Sequence, residues 1–350
     1  MQTLNLPRSS ALAGLGNHIA NVLTILARSM ESSSPVGVEH PCWIAGDPAS
    51  LRLQSIVEKV KDTGSTLLIQ GESGTGKDLL ALTIHHLSSR RDEPFLKIDC
   101  SSIPSELIES ELFGYSKGAF TGAYKDKPGK LEFAGQGTVV LDEISSLGLD
   151  VQTKLLRVIE ERVFERLGSH IRLEINARII ALSRENLEEL VRAHGFREDL
   201  FFRLNVIPIR IPALRERPGD IVPLTKHFLR SIKTRFVKPD LTLSTEAVAC
   251  LEKYSFPGNV RELRNLLERA TMLAEEEITP SHLPDSVRFT SKSVFPVSLQ
   301  TEKPSLAEIE KRYISEILDH TRGNKGRAAK ILGISRKTLL EKRKRYGLVH

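Results

Sequence analysis

The chain has 350 residues, of which 40% are hydrophobic and 27% charged, the balance of a globular protein with length for two or three domains. No apolar run approaches the roughly 18 residues of a membrane helix, so no membrane insertion is expected; Cys42, Cys100 and Cys250 are far apart and form no CxxC pair, which argues against a disulfide frame or zinc site and for a reducing, cytoplasmic setting. The net charge of +6 is unevenly placed: from Pro304 onward twelve Lys/Arg face five Asp/Glu, so a tail of +7 follows a body of −1, an asymmetry that suits a module for a polyanion.

Leu15, Ile19, Val22, Leu23 and Leu26 recur at helical spacing and predict a short amphipathic helix within residues 1–40, followed by a Ser32-Ser33-Ser34-Pro35 linker. From residue 41 to 220, short apolar runs alternate with helical patterns. The runs are Thr66–Gln70, Phe95–Ile98, Thr138–Leu141, Arg178–Leu182 and Val206–Ile211, and they predict an α/β subdomain on a mostly parallel sheet. Residues 221–285 read as wholly helical, and 286–303 as a linker. Ser305-Leu306-Ala307-Glu308 is a capping-box signature that opens a small all-α unit over 304–350.

Gly71-Glu72-Ser73-Gly74-Thr75-Gly76-Lys77-Asp78 follows a strand and precedes a helix, the context of a phosphate-binding loop. The glycines let backbone N–H groups surround phosphates, the helix N-terminus adds partial positive charge, and Lys77 reaches the β/γ-phosphates of ATP. Asp78 stands where a magnesium-binding hydroxyl is usual. About sixty residues later the apolar strand Thr138–Leu141 ends in Asp142 and Glu143. Asp142 is suited to hold magnesium through water, and Glu143 to polarise the attacking water as general base. Arg197 and Arg203, six residues apart, are candidate arginine fingers, donated within the chain or from a neighbouring subunit; Arg261, at the start of a helix, is placed to report loss of the γ-phosphate.

Between the two halves of this site lies Gly118-Ala119-Phe120-Thr121-Gly122-Ala123, a nearly uncharged, flexible loop with an aromatic ring near its tip. Near the C-terminus, Asn324, Lys325, Arg327, Ala328 and Ala329 begin a helix, Gly333 permits a turn, and Ser335 caps a second helix from Arg336 to Arg345. This is a helix-turn-helix pattern. Arg336, Lys337 and Thr338 would face double-stranded DNA bases, with Lys342 and Arg343 on phosphates.

These strings together resemble the sigma-54-dependent transcriptional activators of bacteria, a branch of the AAA+ ATPases, over about Ile44 to Asp285 and again from Leu306 to Leu348, where the chain resembles a Fis-type DNA-binding domain. The six-residue loop matches that family's signature in every letter; Leu214-Arg215-Glu216-Arg217-Pro218 and Pro257-Gly258-Asn259-Val260-Arg261-Glu262-Leu263 match as well. The resemblance implies an ATP-hydrolysing activator that works as a dimer or hexameric ring. It implies that the loop from Gly118 to Ala123 contacts the sigma-54 RNA polymerase holoenzyme and couples hydrolysis to promoter opening. The alternative is a DNA-binding regulator whose AAA+ domain is a ligand-responsive scaffold with weak or no ATPase.

Three positions depart from the family pattern. Asp99 replaces an Asn that restrains the catalytic Glu, Ser183-Arg184 replaces a Thr-Asn sensor pair, and Phe256 replaces a Trp. About forty N-terminal residues are too few for the receiver domain that family members often carry, so control by a separate regulatory protein, or by abundance, is expected.

Overall fold

A computed structural model describes residues 43–288, 305–321 and 324–348. The helix expected within residues 1–40 and most of the 286–303 linker lie outside the described residues.

The strands of the main sheet are β1 (Leu67–Gln70), β2 (Phe95–Asp99), β5 (Thr138–Asp142), β8 (Arg178–Ser183) and β9 (Ile207–Arg210). All pair in parallel, in the order β2-β5-β8-β1-β9. Every residue of β8 is buried, as a central strand covered on both faces requires. Successive side chains alternate between two cores. Leu67, Ile69, Val140, Ile180 and Leu182 face one core, under α1 (Pro48–Val60) and α2 (Lys77–Leu87). Leu68, Val139, Leu141, Ile179 and Ala181 face the other, roofed by α3 (Ser105–Phe113), α5 (Leu149–Glu161) and α7 (Glu198–Leu204). Two short helices, α4 (Lys130–Phe133) and α6 (Leu187–Arg192), add Leu131 and Leu187 to this second core.

The sequence shows two small antiparallel ladders only weakly. One pairs β3 (Gly114–Tyr115) with β4 (Lys127–Pro128) and closes the base of the Gly118–Ala123 loop; the other pairs β6 (Val163–Glu165) with β7 (Arg172–Glu174).

Beyond the sheet, α8 (Ile221–Arg235), α9 (Thr245–Lys253), α10 (Asn259–Leu273) and the short α11 (Asp285–Arg288) enclose a separate core around Phe256, Leu263 and Leu267. The wholly helical expectation for this region is corrected in one detail: Thr242–Leu243 and Glu277–Ile278 form a short parallel pair. Phe256 is fully buried and meets Tyr254 edge-on at 5.0 Å, so the smaller ring fills its place.

In the C-terminal unit, α12 (Leu306–His320) begins with the capping box that its sequence predicts, Ser305 and Glu308 each bonding the other's backbone N–H. α13 (Lys325–Leu332) is capped by Asn324, Gly333 turns the chain at φ +67°, and Ser335 caps α14 (Arg336–Tyr346). Ala328, Ala329 and Leu339 are buried between these helices. No helix among the described residues is long and apolar enough to cross a membrane.

Candidate nucleotide site and its output loop

The loop from Gly71 to Gly76 joins β1 to α2, and the adjoining elements shape it. Gly71 N–H donates to Ser183 O at 3.2 Å, which fixes the loop to the end of β8. Lys77 is buried, and its Nζ donates to Gly71 O at 2.8 Å, so the ammonium lies inside the loop it would share with phosphate. Burial pulls its pKa down, while Glu143, Asp142 and Asp78 oppose that shift.

The helical subdomain is hydrogen-bonded directly to this cradle. Val260 N–H reaches Gly74 O at 2.9 Å, Asn259 Nδ2 reaches Ser73 O at 3.0 Å, and Arg261 Nη1 reaches Ser73 Oγ at 3.0 Å. Gly74 has φ +78°, and a Cβ there would sit 2.4 Å from Gly258 O, so only glycine permits this approach. Glu72 forms a fork with Arg215, at 2.8 Å and 2.5 Å; the Arg215 guanidinium is the main cause that holds the Glu72 carboxyl down to about 2. Below the loop, Arg217 donates to Thr75 O at 2.7 Å, stacks over Trp43 at 5.3 Å, and pairs with buried Asp220.

Asp142 ends β5, and Asp78 sits in the first turn of α2. Lys97, which no motif singles out, bridges them: its Nζ lies 2.6 Å from Asp78 Oδ1 and 2.7 Å from Asp142 Oδ2. Burial acts to lower the Lys97 pKa, but the bonds to Asp142 and Asp78 outweigh it and the pKa is raised. Two carboxylates thus converge on one cationic atom, oxygen ligands of the hard type that magnesium favours. Lys97 alternates with Phe95 and Asp99 at every second position of β2, a pattern that could have marked it as facing the strand-end acids.

Glu143 follows Asp142 with φ +50°, a left-handed conformation that is costly for a non-glycine residue. Its Oε2 lies 3.4 Å from the Arg184 backbone N and 3.7 Å from Arg184 Nε. Asp99, by contrast, accepts from the Ser101 hydroxyl at 2.7 Å and the Ser101 N–H at 3.0 Å, and the hydroxyl bond chiefly lowers its pKa. Its carboxylate is committed to a turn, and among the bonds of the described residues none joins it to Glu143. The Ser183 hydroxyl is likewise spent on Glu185 O at 2.8 Å.

Arg197 and Arg203 lie apart from this cluster, at the start and in the body of α7. Arg197 forks onto Asp199 at 3.0 Å and 2.7 Å and reaches Thr153 Oγ1; Arg203 Nε bonds Glu160 Oε1 at 2.6 Å. All of these partners are on α5 or α7, and none belongs to the cradle.

The loop from Gly118 to Ala123 stands on a braced stem. Gly118 N–H donates to Ala123 O at 2.9 Å and Ala123 N–H to Phe120 O at 3.0 Å; Gly118 (φ +84°) and Gly122 (φ +109°) make these bends. Thr121 is exposed, and Phe120, half exposed, keeps one edge on Tyr115 at 4.9 Å. The stem is tied to the β6–β7 hairpin: Ser116 N–H donates to Leu167 O and Leu167 N–H to Gly114 O, each at 2.9 Å. Ile171, the last residue of the turn before β7, is exposed. Cys100 N–H bonds Asp142 O at 3.0 Å, and α3 then leads into the stem, so a single helix and its flanking turns connect the Asp142 strand end to the loop. Cys100 itself is buried, and burial pushes its thiol up to about 12, so it is a packing residue.

On the helix-turn-helix, Asn324, Arg327, Ser335, Arg336 and Lys337 are exposed and Lys325 and Thr338 half-buried. Lys342, expected on a phosphate, has its Nζ paired with Glu310 Oε1 at 2.5 Å, and Tyr346 OH bonds the other oxygen of Glu310 at 2.6 Å, so this cluster ties α14 to α12. Arg343 reaches Leu348 O at 3.4 Å. Exposed Lys344 and Arg345, at the end of α14, extend the basic face beyond these two residues.

Three family models match the chain: a sigma-54 interaction domain over residues 44–210, an AAA+ ATPase lid domain over 215–297, and a bacterial regulatory protein of the Fis family over 305–346. The regulatory protein AtoC of Escherichia coli (strain K12) is 40% identical over 311 residues, covering 87% of this chain and 68% of that protein. A signal-transduction and transcriptional-control protein of Clostridium beijerinckii is 39% identical over 347 residues, covering 97% of this chain and only 53% of that protein. Among solved structures, NtrX from Brucella abortus in complex with ATP superposes with a TM-score of 0.65 at 31% identity, covering 98% of this chain and 76% of that one.

Proposed function

We propose, from the premise that this chain belongs to the sigma-54-dependent transcriptional activators of the AAA+ ATPases, that it hydrolyses ATP to remodel sigma-54 RNA polymerase holoenzyme from upstream DNA. The observation that carries this reading is the continuous connection from the strand end at Asp142, through the Cys100 N–H bond and the single helix α3, to a stem that presents Phe120 and Thr121 to solvent.

Lys77 and the N–H groups of residues 72–77 hold the phosphates. Asp78 and Asp142 would hold magnesium, which would supply charge neutralisation to the phosphates. Glu143 accepts the proton of the attacking water at its carboxylate. Arg261, bonded to Ser73 of the cradle, carries the state of the nucleotide into the helical subdomain. Arg197 and Arg203, turned away from their own cradle, serve a neighbouring subunit's phosphates, so the active form is a ring. The basic faces of α13 and α14 bind double-stranded DNA, with Arg336, Lys337 and Thr338 at the N-terminal end of the recognition helix.

The test is purified protein with ATP, magnesium and sigma-54 holoenzyme on premelted promoter DNA. Open complexes that require hydrolysable ATP are expected. Hydrolysis without open complexes, or none at all, overturns the reading.

A further inference from the structure

The restraint on Glu143 lies at an unexpected residue. Residue 99 is the β2 neighbour of Asp142 in register, and so the nearest strand position from which a side chain could hold Glu143. Its carboxylate is instead committed to Ser101, and two carboxylates would repel. On the opposite neighbour of β5, the residue following β8 does what residue 99 does not. Arg184 presents both its backbone N–H and its guanidinium Nε to a single oxygen of Glu143, at 3.4 Å and 3.7 Å. The Glu143 backbone is left-handed at φ +50°, and its side chain meets Arg184 at the end of β8.

We propose that Arg184 is the positioning residue for Glu143, holding its carboxylate at the end of β8 between turnovers. This rests on the reading of Glu143 as general base. To polarise a water, Glu143 must turn out of this pair. The Arg184 side chain is 61% exposed and also lies 3.7 Å from Glu185, so the pair is a weak restraint of the kind found at surfaces. Asp99 and Arg184 are then not two separate losses. The restraining function has passed from one flank of β5 to the other.

The experiment measures steady-state ATP hydrolysis by the full chain, without polymerase, for wild type, Arg184→Ala, Arg184→Lys and the double variant Arg184→Ala with Asp99→Asn. Opening a surface ion pair of this kind corresponds to a rise in kcat of about two- to fivefold for Arg184→Ala, with KM for ATP unchanged. Arg184→Lys keeps a cation and rises less. In the double variant, the new amide beside Asp142 can donate to Glu143, and kcat returns toward wild type.

An unchanged or reduced kcat in Arg184→Ala overturns the proposal, as does a raised KM with unchanged kcat, which would make Arg184 a nucleotide contact. A double variant as fast as Arg184→Ala also counts against it. Glu143→Gln in the same assay separates the two levels. If it still turns over, the general-base reading falls; if it is inactive while Arg184→Ala matches wild type, only the positioning role falls.

Discussion

Asp220→Ala tests how the cradle is anchored. Asp220 is fully buried; its Oδ1 accepts from Gly46 N at 2.6 Å and Asp47 N at 2.8 Å, and its Oδ2 accepts from Ser50 Oγ and lies 3.3 Å from Arg217 Nη1. Arg217 is 1% exposed; burial lowers its pKa, and Asp220 opposes that shift. The substitution leaves a guanidinium buried without its counter-charge and two N–H groups without an acceptor, which costs about 3–5 kcal/mol. For a body of this size that is a fall in Tm of about 6–20 °C. Thermal unfolding of the full chain, followed by circular dichroism and by Trp43 fluorescence, reads it; Trp43 is the sole tryptophan and lies against Arg217. Because Arg217 also bonds Thr75 O at 2.7 Å, ATP affinity should fall with it. Pairing Asp220→Asn with Arg217→Met removes both charges and keeps one acceptor, and should cost less than Asp220→Ala alone. A Tm within about 3 °C of wild type for Asp220→Ala, less than about 1 kcal/mol at this size, would refute the reasoning.

Four further outcomes are expected. Thr121→Ala, on an exposed loop outside the cradle's bonds, should keep ATP hydrolysis near wild type and lose open-complex formation; loss of both together would mean that the loop is part of the ATPase. Lys342→Met should destabilise the C-terminal unit by about 1 kcal/mol through the lost Glu310 pair and leave the salt slope of DNA binding unchanged. Lys337→Met, at an exposed position, should flatten that slope by about one unit, and equal slopes for the two variants would contradict the assignment. Glu72→Gln probes pH. The Arg215 fork depresses the Glu72 carboxyl from 4.5 to about 2, so its contribution is present above pH 4.5 and lost as the pH falls toward 2. With its side chain 45% exposed, solvent screening reduces the contribution to about 1 kcal/mol. The Tm gap between wild type and Glu72→Gln should therefore be open at about pH 6 and close on acidification; a gap that stays constant down to about pH 3 would exclude the charge pair as its source.

Residues adjacent along the chain make much of this protein legible by themselves. A glycine-rich loop between a strand and a helix, two acids closing an apolar strand, a capping box, and a small-residue turn between two basic helices each draw their meaning from local backbone geometry and side-chain chemistry. The six-letter loop belongs with them, since its glycines, single ring and lack of charge already describe an exposed contact. What only the tertiary structure decided concerns side chains that choose among distant partners. Lys97 reads as an ordinary strand lysine until the fold places it between Asp78 and Asp142. Lys342 shows no partner in the sequence until α12 brings Glu310 to it. The β6–β7 hairpin has too few residues to announce itself, yet it braces the loop stem. Asp99 and Arg184 read as two defects, because sequence order says nothing of which flank of β5 reaches Glu143. The physical reason is common to all four. A long charged side chain, or a ladder of three residues, gains its partner through contacts between segments far apart in the chain, and no local propensity encodes which partner folding will bring within bonding distance.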